Sequence, residues 1–355
     1  MNFTPSLHTG QQLTVALDIG SHSVKVCELK KSGKGLKLNK LGSAVLPEGV
    51  VVDGEVQDPE AVTAIIINLF KNLKIKNKKV GFSISGYSVI LKRINLTLAS
   101  DQDLDSHIYS EAEQYIPFDV SEVYLDYQDI SNTSTRKGQT DVMLVAARKE
   151  VVDAYLDILR NAGLKTALVD VDAFALENSY ETNCASENNV LLVDIGASTI
   201  NLNVVSGGSS LYARDASTGS GLITEQIQER CGVSPEEAES FKVGLKPVPE
   251  ELRGDVEEIF VDAVNDWLKE VQKAIDFHGT NHPETKLDKI VLSGGGSKIE
   301  GLDILFRKET GLPVEYFYPF AGVQADDKKI DPEYLKTIAP EMAIAMGMAS
   351  RTAPF

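Results

Sequence analysis

The sequence predicts an α/β protein of two related domains facing one cleft, and three observations carry that expectation. The stretch VALDIGSHSVKV at 15–26 recurs as LLVDIGASTINL at 191–202. Each copy reads as a buried strand, a tight turn and a second strand. A third segment, VLSGGGSKIEGL, sets three glycines between a strand and a helix late in the chain. The length of 355 residues exceeds one ordinary core, which fits two domains.

The repeat aligns without gaps. Apolar residues meet at 15/191, 17/193, 19/195, 24/200 and 26/202, Asp18 meets Asp194, and Gly20 meets Gly196. Ser21 and Ser23 follow the first glycine; Ala197, Ser198 and Thr199 follow the second. A buried strand thus delivers an aspartate to a hairpin turn. Glycine lets the backbone approach a phosphate, and the following N–H groups and hydroxyls can hold its oxygens. Two such carboxylates across a cleft suit Mg²⁺ held mainly through its waters, because that ion dehydrates reluctantly. A lone Asp-Ile-Gly could be an ordinary hairpin; its recurrence at the same place argues for a shared task. Gly294, Gly295, Gly296 and Ser297 would let an adenosine lie on bare backbone beside a helix N-terminus. The segment is no P-loop, since its order is Gly-Ser-Lys. Gly219-Ser220-Gly221 lacks the third glycine of a dinucleotide fingerprint and reads as a turn near the phosphates.

The remaining elements follow in order. Residues 13–30 form the first hairpin, and SGKGLK turns the chain again. Asp58 and Pro59 suit the N-cap and first position of a helix with Val62, Ile65, Ile66 and Leu69 on one face. A strand at 80–85 follows. Then come a strand at 90–98, a helix at 101–116 stopped by Pro117, strands at 122–130 and 141–148, and a helix at 149–162 with Gly163 as left-handed cap. That unit reads as an insertion. Residues 219–280 are helix-rich, and a last helix spans 338–350. The expected boundaries are a first domain from 1–90, an inserted subdomain at 91–165 and a return and linker at 166–188. A second domain spans 189–335, with a helical subdomain near 235–287, and 336–355 packs back on the first domain.

Composition narrows the function. The net charge of −17 and pI near 4.8 disfavour nucleic acid and a polybasic grip on anionic lipid. A nucleotide must therefore be attracted locally, by backbone N–H groups, a lysine and a metal ion. No apolar run is long enough to span a membrane, and the N-terminus lacks the regions of a signal peptide. Cys27, Cys184 and Cys231 show no paired spacing and are expected to be reduced thiols in a cytoplasmic protein.

Two Asp-x-Gly hairpins and a triple-glycine turn in this order resemble the actin/Hsp70/sugar kinase superfamily. More narrowly, AEQYIPFDVSEVYLDYQ at 112–128, MLVAAR and the helix to Ala162-Gly163-Leu164 resemble the PilM family of type IV pilus assembly, and less closely FtsA. The resemblance covers about Leu13 to Arg351. It implies two actin-like (RNase H-like) ATPase domains with an FtsA-type strand-helix-strand-strand inserted subdomain. It implies an ATP and Mg²⁺ site made by Asp18, Gly20, Ser21, Ser23, Lys25, Asp194, Gly196, Ala197, Ser198 and Thr199. Asp18 and Asp194 are the candidate catalytic carboxylates, Lys25 reaches the β- and γ-phosphates, and Asp170 orders Mg²⁺ water beside them. Glu239 and Lys242 would bracket ribose and adenine, although spacing alone also fits a solvated helix face. Ala197 stands where hydrolysing relatives often carry a polar side chain, which implies slow or absent turnover.

The resemblance also implies a cytoplasmic scaffold peripheral to the inner membrane. Its partner would be the cytoplasmic N-terminal peptide of a PilN-like inner-membrane protein, with other pilus assembly components. The docking groove is expected beside Tyr115, Ile116, Pro117 and Phe118; the same residues equally suit the insertion's own core. The chain stops at RTAPF without the amphipathic tail of FtsA-like proteins, so no direct membrane insertion is expected. Rival readings are a small-molecule kinase or ATPase on this fold, and an FtsA-like division filament protein. His278 and His282 are spaced as zinc ligands can be, but Gly279, Asn281 and Pro283 are expected to break a helix there. Ser293 lacks the G-x-S-x-G of a nucleophile elbow. Met342, Met346 and Met348 are expected in the core, with Ala345 and Gly347 permitting close backbone approach.

Overall fold

The computed structural model describes residues 11–33, 35–97, 104–130, 139–184 and 188–353. Its first sheet starts as an antiparallel meander of β1 (Val15–Ile19), β2 (Ser23–Ser32) and β3 (Gly35–Val45). Helix α1 (Pro59–Leu73) crosses to β4 (Lys79–Ile84), which lies parallel to β1. The insertion follows as β5 (Val89–Thr97), α2 (Leu104–Glu111), β6 (Val123–Asp129) and β7 (Gln139–Arg148). Helix α3 (Lys149–Asn161) then leads to β8 (Lys165–Val171), parallel to β4. The first sheet thus runs β3-β2-β1-β4-β8, with a short strand at Val323–Gln324 added beside β3.

Helix α4 (Asp172–Asn183) carries the chain into the second sheet. There β9 (Val190–Ile195), β10 (Ile200–Ser206) and β11 (Ser209–Ala216) repeat the antiparallel meander. Helices α5 (Gly221–Cys231), α6 (Pro235–Lys242) and α7 (Arg253–Asn281) precede β12 (Lys289–Ser293). Helix α8 (Leu302–Thr310) leads to β13 (Val314–Tyr316). The order is β11-β10-β9-β12-β13, with β12 and β13 parallel additions. The duplication legible in twelve residues therefore extends to both five-stranded cores. Helices α9 (Pro332–Ile338) and α10 (Ala343–Ser350) close the chain.

Local chemistry accounts for these elements. Every residue of β1 and of β9 is buried, because both are central strands covered on two faces and read as continuous apolar runs. The Asp58 carboxylate accepts from the Ala61 N–H at 3.0 Å, and Pro59 opens α1, as the sequence predicts. Gly163 takes φ +71° after α3, where a side chain would be strained. Strand β7 is central in the insertion sheet and splits its side chains between two cores. Val142, Leu144 and Ala146 pack with Ile108 and Ile116, whereas Met143, Val145 and Ala147 join Tyr155 in the core of the first domain. Helix α3 buries Val151, Val152, Tyr155, Ile158 and Leu159 in that same first-domain core.

Two expectations are revised. The helix expected over 101–116 is α2 to Glu111, then a single 3-10 turn at Ala112–Gln114; 101–103 lie outside the described residues. Tightening the last turn brings Ile116 into the insertion core. The helix expected to break at Gly279 runs on to Asn281. Glycine there costs about 1 kcal/mol, and burial of Ala274 and His278 outweighs it. His278 Nε2 lies 3.1 Å from the Thr285 carbonyl oxygen.

Candidate nucleotide site

The two hairpins that the repeat describes make the same turn. The Gly20 N–H donates to the Ser23 carbonyl at 3.1 Å, and the Gly196 N–H donates to the Thr199 carbonyl at 2.9 Å. In each copy the strand before the turn carries a buried aspartate, Asp18 or Asp194, next to its last residue. Across the hairpins Asp18 registers with Lys25 and Asp194 with Asn201. The copies differ there, and the difference places one positive charge in the cleft. Lys25 Nζ lies 3.1 Å from Asp18 Oδ2. Burial works against the Lys25 charge, but Asp18, Glu341 and Asp194 outweigh it and raise its pKa. A Cβ on Gly20 would sit 3.3 Å from Lys25 Nζ, so that glycine keeps the ammonium's approach open.

Asp194 accepts from the Ser293 hydroxyl at 2.7 Å. Burial pushes its carboxyl up to about 6, against the pull of that hydroxyl, and Asp18 adds to the rise. The second turn is packed tightly from behind. A Cβ on Gly219 would meet the Ala197 carbonyl oxygen at 2.1 Å, and the Ser220 and Gly221 N–H groups donate to the Gly196 and Ala197 carbonyls. Gly219-Ser220-Gly221 is therefore the brace of the second loop, close to where the sequence put it.

The triple-glycine turn also serves packing. A Cβ on Gly294 would lie 2.4 Å from the Ile195 carbonyl oxygen, and one on Gly296 2.4 Å from the Ile195 side chain. Gly295 alone presents an open face, its nearest neighbour being Glu341 at 3.7 Å. The Ser297 hydroxyl donates to the Gly294 carbonyl at 2.7 Å and so braces its own turn. The Gly294 N–H donates to the Pro340 carbonyl, and Lys298 pairs with Glu341, which ties the turn to the chain entering α10.

Glu239 and Lys242 lie on α6 and pair at 2.7 Å; the Thr224 hydroxyl also donates to Glu239. Burial raises the Glu239 pKa, but Lys242 and Thr224 outweigh it and the net shift is downward. Lys242 is buried and its ammonium reaches the Ser220 carbonyl at 3.3 Å. This is no solvated helix face. Between the halves sits His22, at the first turn. Its pKa is lowered by partial burial, with Lys242 and Lys25 adding to the effect against Glu239 and Glu341. Its position between Ser21 and Ser23 of the first loop is the one signal of His22 in the sequence. Asp18, Lys25 and Asp194 thus act on one another, and His22 feels both Lys25 and the Glu239–Lys242 pair.

Asp170 is not among them. It is fully buried beside Arg351, with Nε 2.8 Å from Oδ2. The contact is ionic in distance without the alignment of a hydrogen bond. At this junction the carboxylate that senses Asp18 is Asp172, two residues on, at the start of α4. Burial pushes it up to about 7; Asp18 and Asp215 add to the rise, and the Ser83 and Ser85 hydroxyls oppose it. Sequence cannot choose between two aspartates at the junction of a strand and a helix, because the choice depends on how the chain turns there. Asp215 on β11 accepts from the Gly86 N–H at 2.6 Å and from Asn201 at 2.7 Å, joining the two halves below the cleft.

Among the described residues no group of three or more His, Cys, Asp or Glu side chains could hold a metal ion. Asp18, Asp194 and Asp172 are hard oxygen donors that would suit a hydrated Mg²⁺ held through its waters, not by direct ligation from all three. In the insertion, Ile116 is core, Tyr115 and Phe118 pack against that core, and Pro117 is exposed. Lys92 lies over the Tyr115 ring at 5.4 Å and Arg148 over the Phe118 ring at 5.8 Å.

Comparison with known proteins places this geometry. The pattern of the family described as type IV pilus assembly protein PilM matches residues 16–353. A solved structure of a PilM-PilN type IV pilus biogenesis complex superposes with a TM-score of 0.83 at 28% identity, covering 95% of this chain and 97% of that one. The cell division protein FtsA of Escherichia coli K12 is 21% identical over 375 aligned residues, 92% of this chain and 89% of FtsA. MreB 5 of Spiroplasma citri, solved with AMPPNP, gives a TM-score of 0.51 at 13% identity over 94% of both chains, a likeness of fold. The architecture is that of two actin-like domains. No helix of the described residues is long and apolar enough to cross a membrane.

Proposed function

The chain belongs to the PilM family of type IV pilus assembly proteins, and from that premise we propose that it is an ATP-binding scaffold of the pilus machinery. It works at the cytoplasmic face of the inner membrane, held there by the cytoplasmic N-terminus of a PilN-like protein. The observation that carries this reading is the match, over nearly the whole of both chains, to a PilM-PilN complex.

ATP lies between the two hairpin turns. Lys25 supplies the positive charge at the β- and γ-phosphates, and the Gly20 and Gly196 turns present backbone N–H groups to them. Glu239 and Lys242 hold the ribose and adenine against the open face of Gly295. Mg²⁺, when bound, neutralises phosphate charge; Asp18, Asp194 and Asp172 hold its waters, with Asp172 taking the part expected of Asp170. Asp172 is also a carboxyl poised near neutrality, as a group receiving a proton from water would need to be. Ala197 gives the second loop no polar side chain, which fits slow turnover and a nucleotide that serves as a structural or switching ligand. The partner peptide lies beside Tyr115, Pro117 and Phe118, with Ile116 shaping the groove from beneath.

The test is a titration of the chain with the N-terminal peptide of its PilN-like partner, with and without Mg-ATP. Binding is expected, weakened about tenfold or more by Phe118→Ala with ATP affinity intact, as for loss of an aromatic anchor. No binding in either nucleotide state would remove the scaffold reading and favour an ATP-using enzyme.

A further inference from the structure

We infer that the end of the first domain remote from the cleft is a binding face for an anionic lipid bilayer; this deepens the membrane-apposed reading above and rests on it. The net charge of −17 conceals a local reversal. The chain has 52 acids in 355 residues, yet none lies between Glu60 and Asp101. That gap holds Lys71, Lys74, Lys76, Lys78 and Lys79, gathered at the end of α1 and the start of β4. Strand register sets Lys165 of β8 beside Lys79, and all six are exposed. Lys71, Lys74, Lys76 and Lys78 have no carboxylate partner among the described residues. The arginine nearest in sequence to Lys165, Arg160, is already paired with Asp157 at 2.6 Å.

Four of them, Lys71, Lys74, Lys76 and Lys78, rim an apolar pit. A surface cavity of about 310 Å³ is lined by Ile66, Ile67, Phe70 and Ile75, and Ile67 is 44% exposed. The Lys78 ammonium sits 5.6 Å from the centre of the Phe70 ring. Long lysine stems can cover such a pit while their heads reach outward.

Chemistry and placement favour a bilayer over a folded acidic partner. The rim is built from lysines, flexible point charges suited to a field of mobile headgroups, and a fixed carboxylate would favour arginine forks. Because β1, β4 and β8 run parallel, their C-terminal ends bring Asp18, Ser83 and Asp172 to the cleft, and the lysines lie at the opposite ends. A six-residue strand spans roughly 20 Å, so contact there leaves the cleft open. The acidic remainder is repelled by an anionic membrane, and within a Debye length of about 8 Å only this face is attracted. Charge asymmetry thereby sets the orientation of the tethered molecule.

The test is cosedimentation of the full chain with vesicles containing phosphatidylglycerol and, separately, of phosphatidylcholine alone. Binding is expected to the anionic vesicles only, to vanish at high salt, and to fall about tenfold or more in the Lys71→Gln/Lys76→Gln/Lys78→Gln variant. A second variant, Lys165→Gln with Ile67→Ser, should weaken it independently, and both should melt as the wild type does. No binding to anionic vesicles, equal binding to neutral ones, or undiminished binding by both variants overturns the inference. Capture of soluble polyglutamate without vesicle binding overturns it too, and makes the face a site for acidic polypeptide. Binding of the PilN-like peptide is measured in parallel. Its loss beside intact vesicle binding sinks the scaffold reading and leaves the lysine face standing.

Discussion

Glu177 on α4 illustrates how single residues couple the two halves of the molecule. It accepts from the Ser210 hydroxyl on β11, and burial pushes its carboxyl up to about 7, with Glu181 and Asp170 adding and Arg351 opposing. The native state therefore holds a proton that the unfolded chain releases near pH 4.5. The stability this contributes is complete below that value and is lost as pH rises through 7. Unfolding by urea should show a fall on the order of 1–3 kcal/mol from this group between pH 5 and 8. Glu177→Gln, which keeps the shape and removes the titration, should flatten that part of the slope. An unchanged slope would mean that the carboxylate is ionised in the folded protein. Lys25 follows the same logic of charge in a dry site: its raised pKa keeps it charged where an anion must be attracted against a net charge of −17.

Among elements, the crossing of α4 and α10 decides how the chain's end meets its middle. A Cβ at Gly347 would lie 1.7 Å from the Ala175 carbonyl oxygen, so the two helices touch backbone to backbone. Met342, Met346 and Met348 fill the surroundings and are fully buried. Gly347→Ala must push the helices apart and should cost at least 1–3 kcal/mol, read as an earlier denaturation midpoint at unchanged m-value. A midpoint equal to the wild type's would show that the crossing can relax. Strand β7 makes a related point. Its alternation feeds two cores, so the insertion and the first domain share one sheet as a wall.

At the scale of the whole molecule, the last described residues fasten the fold. Leu13 donates its N–H to the Arg351 carbonyl, and the Arg351 side chain is buried against Asp170. Burial raises the Asp170 pKa, with Arg351 opposing. Arg351→Ala strands a buried carboxylate and should cost roughly 3–5 kcal/mol. Adding Asp170→Asn should restore much of it, because the uncompensated charge is what hurts. A double variant as unstable as the single one would show that packing of the guanidinium, and not the charge, is the source.

The sequence by itself determined the duplication, the two hairpin turns and the glycine-rich turn, because each depends on residues close together in the chain. Strand periodicity, the Asp58 cap and the αL glycine at 163 are local in the same sense. That Glu239 and Lys242 share one helix face was legible from their spacing; that Lys242 is buried there and reaches the Ser220 carbonyl was not. Only the tertiary structure decided what long-range packing controls. It gave Asp170 to Arg351 and the cleft to Asp172. It set Gly294 and Gly296 against Ile195, carried α7 through Gly279, and put six lysines on one face of an acidic protein. The physical reason is shared: each outcome turns on which side chain faces which neighbour across a sheet or cleft, and that is fixed only when distant segments meet.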